Sequence, residues 1–563
     1  MLLQKLVEYS ERLESMAPSG YSKKNIRYLI ELDINGNLRN PMPVDLSDEK
    51  NKRGAPHIVP NVVRANAIKP LLLSDNAEYT FNLPRDEKKA KRTAESYAAY
   101  MALVTECVKH SESEHVLAVL KFLERNPLEE LTFSDEYERD GAIIFRVDGQ
   151  FPTEQKSVQK FWAEKNAPQG ETMQCLICGE FRPTLKRLKG KIKGIPNGQT
   201  SGTSLISANA KAFESYGLEA SQTSPVCENC ADGFTKALNH LLGNRSTRIM
   251  LNGLVFTFWT RNAVEFDFME HMDEPKQEKV YELLNSLRTG KVQPGVDEVS
   301  FYAVSLSASG ARAVVRDWVE TTVGSVKQTL AVWFVRQQIV DAWGEQQAPL
   351  SIYRLASATV REMKDLPTQT PQTLIRSALS GTPLPMSLLQ QALRRNAAEH
   401  TVTYQRAALI KLVLASRSII QEDEMVELQT DRSEPAYHCG RLLAVLEQIQ
   451  KSALGNVNSS IVDRFYGTAS TAPASVFGTL LGGAQPHLSK LRRGQREGTA
   501  FALQSRLEEV LSMLPDFPRT LKLQEQALFA LGYYHQRAYD RAQAKAASEA
   551  KKTKSKTTDA GGA

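Results

Sequence analysis

The sequence lacks the short signatures on which many enzymes are built. It has no GxxxxGK(S/T) phosphate loop: Gly190-Lys191 and Gly290-Lys291 both lack the glycine five positions earlier and the following Ser or Thr. It has no HExxH and no GxSxG, no histidine stands directly before an aspartate, and the nine histidines are scattered rather than paired at ligand spacing. Cysteine is scarce, six in 563 residues, and four of the six form two CxxC pairs, which excludes a secreted disulfide framework. No apolar run approaches the ~20 residues of a membrane span. The most apolar stretch, Ile249 to Trp259, is broken by Asn252 and Gly253. The opening MLLQKLVEYSERLESM sets Glu8, Glu11 and Glu14 among its leucines, unlike a secretory or transit signal, and reads as an amphipathic helix. The expectation is a cytoplasmic protein without enzymatic activity.

What is present is an ordinary globular balance, 42% hydrophobic and 24% charged, against disorder or a fibrous repeat. The length predicts three to four domains at one per ~150 residues. Residues 1–174 read as a mixed α/β region. Ile26, Tyr28, Ile30, Leu32 and Ile34 alternate and then meet Asn35-Gly36, a hairpin signal. The following stretch, PMPVDLSDEKNKRGAPHIVPN, is too irregular for a regular element and reads as a surface loop. Helices follow near Ala94–His110 and Ser113–Arg125, and a strand near Ala142–Val147. Residues 175–230 form a Cys-rich insertion. Strands return in 231–321, at Ile249–Trp259 and as a hairpin of Val299–Ser307 with Ala311–Glu320.

From about Thr322 the pattern is helical. A helical region spans 322–424 and a C-terminal bundle spans 425–546, where Leu442, Val445, Leu446 and Ile449 form a stripe. The basic stretch 547–563 reads as a disordered tail. The fold class is α+β: a mixed α/β N-terminal region with a zinc-knuckle-like insertion, then an all-helical bundle.

The sharpest local signal is Cys175-x-x-Cys178 with Cys227-x-x-Cys230. Thiolates suit tetrahedral Zn²⁺, and four of them close the site, which makes the metal structural. Gly179 lets the backbone turn back after the first pair; redox-active or idle thiols are the alternative. Cys107 and Cys439, in helical patterns, read as buried small hydrophobes.

Charge is concentrated between the pairs. Lys and Arg total 70 against 64 Asp and Glu, a net of +6, and the 24 residues Phe181–Ser204 alone carry +6 with no acid. Lys186, Arg187, Lys189, Lys191 and Lys193 suit phosphates, and Asn197, Gln199, Ser201 and Thr203 suit base or backbone hydrogen bonds. Six phosphate contacts imply a salt slope of roughly −5; a solvated loop is the bland alternative. Arg64, Asn66 and Lys69 form a second, weaker basic place, and Lys88, Lys89, Lys91 and Arg92 read as a solvated face. Lys490, Arg492, Arg493 and Arg496 suit a channel for a single strand or a plain helix surface.

Four blocks resemble the large subunit of the type I-C CRISPR surveillance complex, Cascade. They are MLLQKLVEYSERL followed by YSKKNIRYLIELDINGNL, the central IKGIPNGQTSGTSLISANAKAFESYGLEAS, YGTASTAPASVFGTLL, and LKLQEQALFALGYYHQRA. The resemblance implies a non-catalytic subunit that recognises the PAM, aids duplex opening and stabilises the R-loop, while guide pairing reads sequence. It implies as partners the guide RNA assembly, target duplex and displaced strand, the backbone, handle-binding and small subunits, and a recruited helicase-nuclease. It also implies a C-terminal domain like the small subunit, with Met425 a candidate internal start. The alternative is a free-standing zinc-stapled nucleic-acid-binding protein.

Overall fold

The computed structural model describes residues 1–13, 18, 20–48, 51–62, 64, 67–167, 170–188, 190–288, 295–455, 458–494 and 496–560. It is a mixed α+β chain that divides into two units, Met1–Lys191 with Ser204–Leu238, and Ile192–Thr203 with Asn239–Ala563.

In the first unit, strand Tyr28–Leu32 is central in a three-stranded sheet. It pairs in parallel with Ile143–Val147 and antiparallel with Val44–Asp45. A parallel pair needs a long crossover, and helices Ala90–Ser111 and Glu114–Glu124 lie within it. Tyr28, Ile30 and Leu32 share a core with Phe122 and Phe145, while Leu29 packs with Ile26, Val59 and Ile144. Coverage on both faces explains why this strand is apolar at consecutive positions. Ser113 caps the second helix, its Oγ accepting from the Val116 N–H at 3.2 Å.

The Asn35-Gly36 turn forms, with Gly36 at φ +86° and the Asp33 carboxylate accepting from the N–H groups of Asn35 and Asn37. The chain returns, however, through a single bridge, Leu32 to Leu38, rather than a full second strand. The stretch read as a loop also contains order: Ala55–Pro60 is a strand, paired antiparallel with Tyr21–Ile26. Pro56 and Pro60 hid it, yet a two-stranded sheet has only edges, where a missing N–H is tolerated.

In the second unit, an antiparallel sheet runs in the order Arg312–Thr322, Ser300–Ser309, Leu254–Thr260, Arg248–Leu251. The expected strand Ile249–Trp259 is thus a hairpin, turning at Asn252 and Gly253, both at positive φ. Helices follow from Val323 onward. One hydrophobic core runs from Ile249 through Tyr534, joining this sheet to the helices, and Met425 lies wholly buried within it.

Helix Pro435–Leu454 packs chiefly on helix Leu523–Ala560. Leu442, Val445, Leu446 and Ile449 are buried as expected, but so is every residue from Ala436 to Glu447, so the helix is central rather than striped. Its polar groups are partnered inside: Arg441 reaches Gln536 (3.0 Å) and Glu509 (2.6 Å), and Glu447 accepts from the Tyr533 hydroxyl (2.8 Å). On helix Tyr404–Ser416, fully buried Lys411 donates to the carbonyls of Val335 (3.2 Å), Arg336 (3.3 Å) and Glu422 (3.0 Å). The last helix continues to Ala560, into the stretch expected to be a disordered tail. Ala and Lys, strong helix formers, supply eight of its 17 residues; its last three residues, 561–563, lie outside the described residues.

Candidate metal centre and nucleic-acid interface

The four cysteines converge in the first unit. Cys175 and Cys178 lie in the tight connection between the antiparallel strands Thr172–Gln174 and Phe181–Pro183. The Gly179 N–H donates to Cys175 O at 2.9 Å, with Gly179 at φ +78°, a conformation that favours glycine. Cys227 and Cys230 sit at the start of helix Glu228–Gly243. Two links join the halves: Thr184 bridges Cys227, and the Leu185 N–H donates to Val226 O at 3.3 Å.

All four sulfurs lie within 4.8 Å of one another, with Cys178 to Cys227 at 4.0 Å. A tetrahedral Zn–S₄ site needs sulfurs about 3.8 Å apart, so the cluster fits a metal ion with little adjustment. Cys175, Cys227 and Cys230 are buried and Cys178 is exposed. Burial pushes the Cys175 thiol up, but N–H groups of Cys178, Cys227 and Ile177 outweigh it and leave its pKa at about 7. Burial, then the charge of neighbouring sulfurs, pushes Cys227 and Cys230 up. Four thiolates this close repel one another unless a cation sits among them, so the donor set suits a divalent metal. Cys107 and Cys439 are buried, and burial raises both thiols.

The basic segment is divided between the two units. In the first, Lys186, Arg187 and Lys191 are exposed. Lys186 pairs with Glu219 at 3.2 Å, and Lys191 Nζ donates to Ser204 Oγ at 2.7 Å. In the second, Lys193, Asn197, Gln199 and Ser201 are exposed. Thr203 is buried, and its hydroxyl donates to Ile192 O at 3.2 Å, closing an Ile192–Thr203 bridge. That hydroxyl serves the fold. Lys189 and Asn66 lie outside the described residues.

Arg64 is engaged within its own unit. Its guanidinium forks onto buried Asp75, donates to Lys69 O at 2.6 Å, and lies 4.2 Å from the Tyr79 ring centroid. Asp75 also accepts from the N–H groups of Leu71 (2.8 Å) and Asn76 (2.9 Å). Lys69 is exposed. Lys490, Arg492 and Arg493 are exposed on the last turn of helix Phe477–Arg493, where cations favour the helix dipole. Arg492 bonds Gln504, and exposed Arg496 donates to Ser452 O at 3.3 Å.

The first unit also exposes Phe181 and, within the stretch KAFESYGLE, Phe213 and Tyr216, aromatics outside the expected site residues. Aromatic side chains interleaved with lysine and glutamate, with no apolar periodicity, were the available signal. No helix among the described residues is long and apolar enough to cross a membrane.

A family model described as CRISPR-associated protein (Cas_Csd1) matches residues 6–539. No curated protein matches the chain.

Proposed function

The chain belongs to the Cas_Csd1 family of CRISPR-associated proteins, and on that footing we propose that it is the large, non-catalytic subunit of a type I-C surveillance complex. In this reading it recognises the PAM, aids opening of the duplex and stabilises the R-loop, while the guide RNA reads sequence by pairing. Its partners are the guide RNA assembly, the backbone, handle-binding and small subunits, target DNA with its displaced strand, and a recruited helicase-nuclease. Zn²⁺ at Cys175, Cys178, Cys227 and Cys230 serves the fold: four thiolates leave no open position for chemistry.

The observation that carries the reading is the exposed cation series Lys186, Arg187, Lys191 and Lys193 within a chain matched to this family over residues 6–539. The Leu185–Val226 hydrogen bond and the Thr184–Cys227 bridge support it, because a cation next to an anchored backbone loses less entropy on meeting phosphate.

The test is purification of the chain with its neighbouring CRISPR proteins, followed by binding to a library of duplexes with randomised flanking bases. The expected result is a multi-subunit particle carrying one short RNA and enriching a defined flank, with no nicking by this chain alone. Alanine at Lys186, Lys191 and Lys193 is expected to weaken DNA binding and flatten its salt slope, by about 0.9 per lost phosphate contact. A chain that purifies without RNA and binds duplex regardless of flank is instead a free-standing nucleic-acid-binding protein, and the proposal fails.

A further inference from the structure

Residues Lys211–Gly217 are exposed without interruption, and Tyr216 at their far end is 98% exposed. The segment is nonetheless ordered. Lys211–Phe213 is a turn of 3₁₀ helix, Ser215 bridges Leu218, and the Leu218 N–H donates to Ser215 O at 2.9 Å. The two central residues of that second turn, Tyr216 at φ +53° and Gly217 at φ +74°, are both left-handed. This is a two-residue turn of the kind that favours Asn-Gly or Gly-Gly. Tyrosine is a poor choice for its first position: left-handed backbone is disfavoured for a residue carrying a Cβ. A ring this exposed also gains no burial in return. Neither local conformation nor packing within the chain accounts for a tyrosine at Tyr216, whereas a ligand that covers the ring does.

The surroundings indicate what covers it. The turn leaves through Glu219, which pairs with Lys186 at 3.2 Å, and the Ser221 N–H donates to Lys186 O at 3.0 Å. Lys186 in turn follows Leu185, which is tied to Val226 beside the second cysteine pair. The base of the turn is therefore tied through Lys186 to the segment that carries the cysteine cluster. Lys211 and Phe213, the latter 44% exposed, lie on the same excursion. The exposed Tyr216 ring, on a turn whose base holds Lys186, matches a ligand that is planar and apolar on its faces and anionic along its length. That description is an unpaired stretch of nucleic acid, whose bases stack on aromatic rings while its phosphates meet cations.

We infer that Tyr216 is a stacking platform for an unpaired nucleobase of the bound DNA, with Lys186, Arg187 and Lys211 serving the adjoining phosphates. The inference rests on the proposed role in DNA binding and adds to it a residue, a ligand group and a mode of contact.

The test uses the full-length chain in its guide-loaded complex. Target DNA carries 2-aminopurine at successive positions in and beside the flanking motif. In the parent complex one position is expected to be quenched by stacking. Tyr216→Ala is expected to abolish that quenching and weaken binding roughly 5- to 100-fold, the range that loss of one stacked aromatic produces. Its salt slope is expected to stay unchanged, because a ring carries no charge. Tyr216→Trp and Tyr216→Phe should keep both properties, which assigns the effect to the ring rather than the hydroxyl. Tyr216→Asn relieves the left-handed strain; it is expected to melt no lower than the parent and still lose the stacking, separating binding from folding. Parent-like affinity and quenching in Tyr216→Ala overturns the inference while leaving the proposed function standing. A photo-crosslinking residue at Tyr216 that captures another subunit instead of DNA also overturns it. A parent complex that binds no DNA overturns the proposed function, and this inference with it.

Discussion

The backbone N–H of Cys227 donates to Cys175 Sγ across 3.4 Å, so the second cysteine pair stabilises the thiolate of the first before any metal enters. Cys175 is also the thiol whose pKa falls to about 7, the N–H donors prevailing over burial. The two pairs are thus one preorganised donor set. Elemental analysis of the full-length chain is expected to find about one zinc per chain. Cys175→Ser combined with Cys227→Ser should lose it and open the segment after Leu185 to proteolysis at Lys186 and Arg187. Metal content unchanged by the double substitution would refute the assignment.

Helix Pro435–Leu454 meets helix Leu523–Ala560 at reciprocal glycines. A Cβ on Gly440 would lie 2.0 Å from Phe529 O, and one on Gly532 would lie 2.0 Å from Tyr437 O. Both obstacles are backbone atoms with no rotamer to change. Gly440→Ala and Gly532→Ala are each expected to destabilise by about 3 kcal/mol. Gly467→Ala, in a helix with open space around it, should be neutral or stabilising by up to about 1 kcal/mol. Denaturant midpoints of the three variants decide the matter.

Arg64→Ala leaves the Asp75 carboxylate, whose side chain is 2% exposed, with two backbone donors and only the charge of Lys24 nearby. Arg64 itself remains 27% exposed, so water tempers the loss. The expected destabilisation is about 2–3 kcal/mol, with any fall in DNA affinity following the fraction unfolded. A stable variant with selectively weakened DNA binding would return Arg64 to the nucleic-acid interface.

Lys411 gives the helical region an alkaline signature. Burial lowers its pKa from 10.5 to about 8, against an upward pull from Asp423, Glu422 and Glu424. Between about 8 and 10.5 the unfolded chain therefore holds more protons than the folded one, so this group's contribution to stability rises with pH through that window. Below about 8 the lysine is charged in both states and its penalty is constant. The rise amounts to about 3 kcal/mol. Lys411→Met should remove it, and urea titrations of both proteins at pH 7.5 and 10 compare the slopes.

Much of this fold was legible where local chemistry and tertiary context agree. The helices expected near Ala94–His110 and Ser113–Arg125 appear as Ala90–Ser111 and Glu114–Glu124, because apolar periodicity marks both and Ser113 caps the second. Asn35-Gly36 turned the chain as its residue types demand, while the same dipeptide at Asn252-Gly253 was read only as an interruption of an apolar run. The strand Ala55–Pro60 was illegible because two strands of another sheet separate it from its partner, Tyr21–Ile26, and its prolines argue locally against pairing. At the candidate site, spacing alone located all four cysteines. Composition located the cations but could not foresee that Thr203 would turn inward or that Arg64 would find Asp75.

The pairing of Lys186 with Glu219 makes the carboxylate an internal counter-ion. An exposed pair of this kind contributes little stability, so phosphate can replace the carboxylate at small expense. The exchange frees a tethered carboxylate from the lysine, while the sodium ion condensed on the DNA phosphate is released as it is for any lysine contact. Lys186 therefore adds its full share to the salt slope while contributing less net affinity than an unpaired lysine, and the Glu219 it releases loosens one hold on the turn that carries Tyr216.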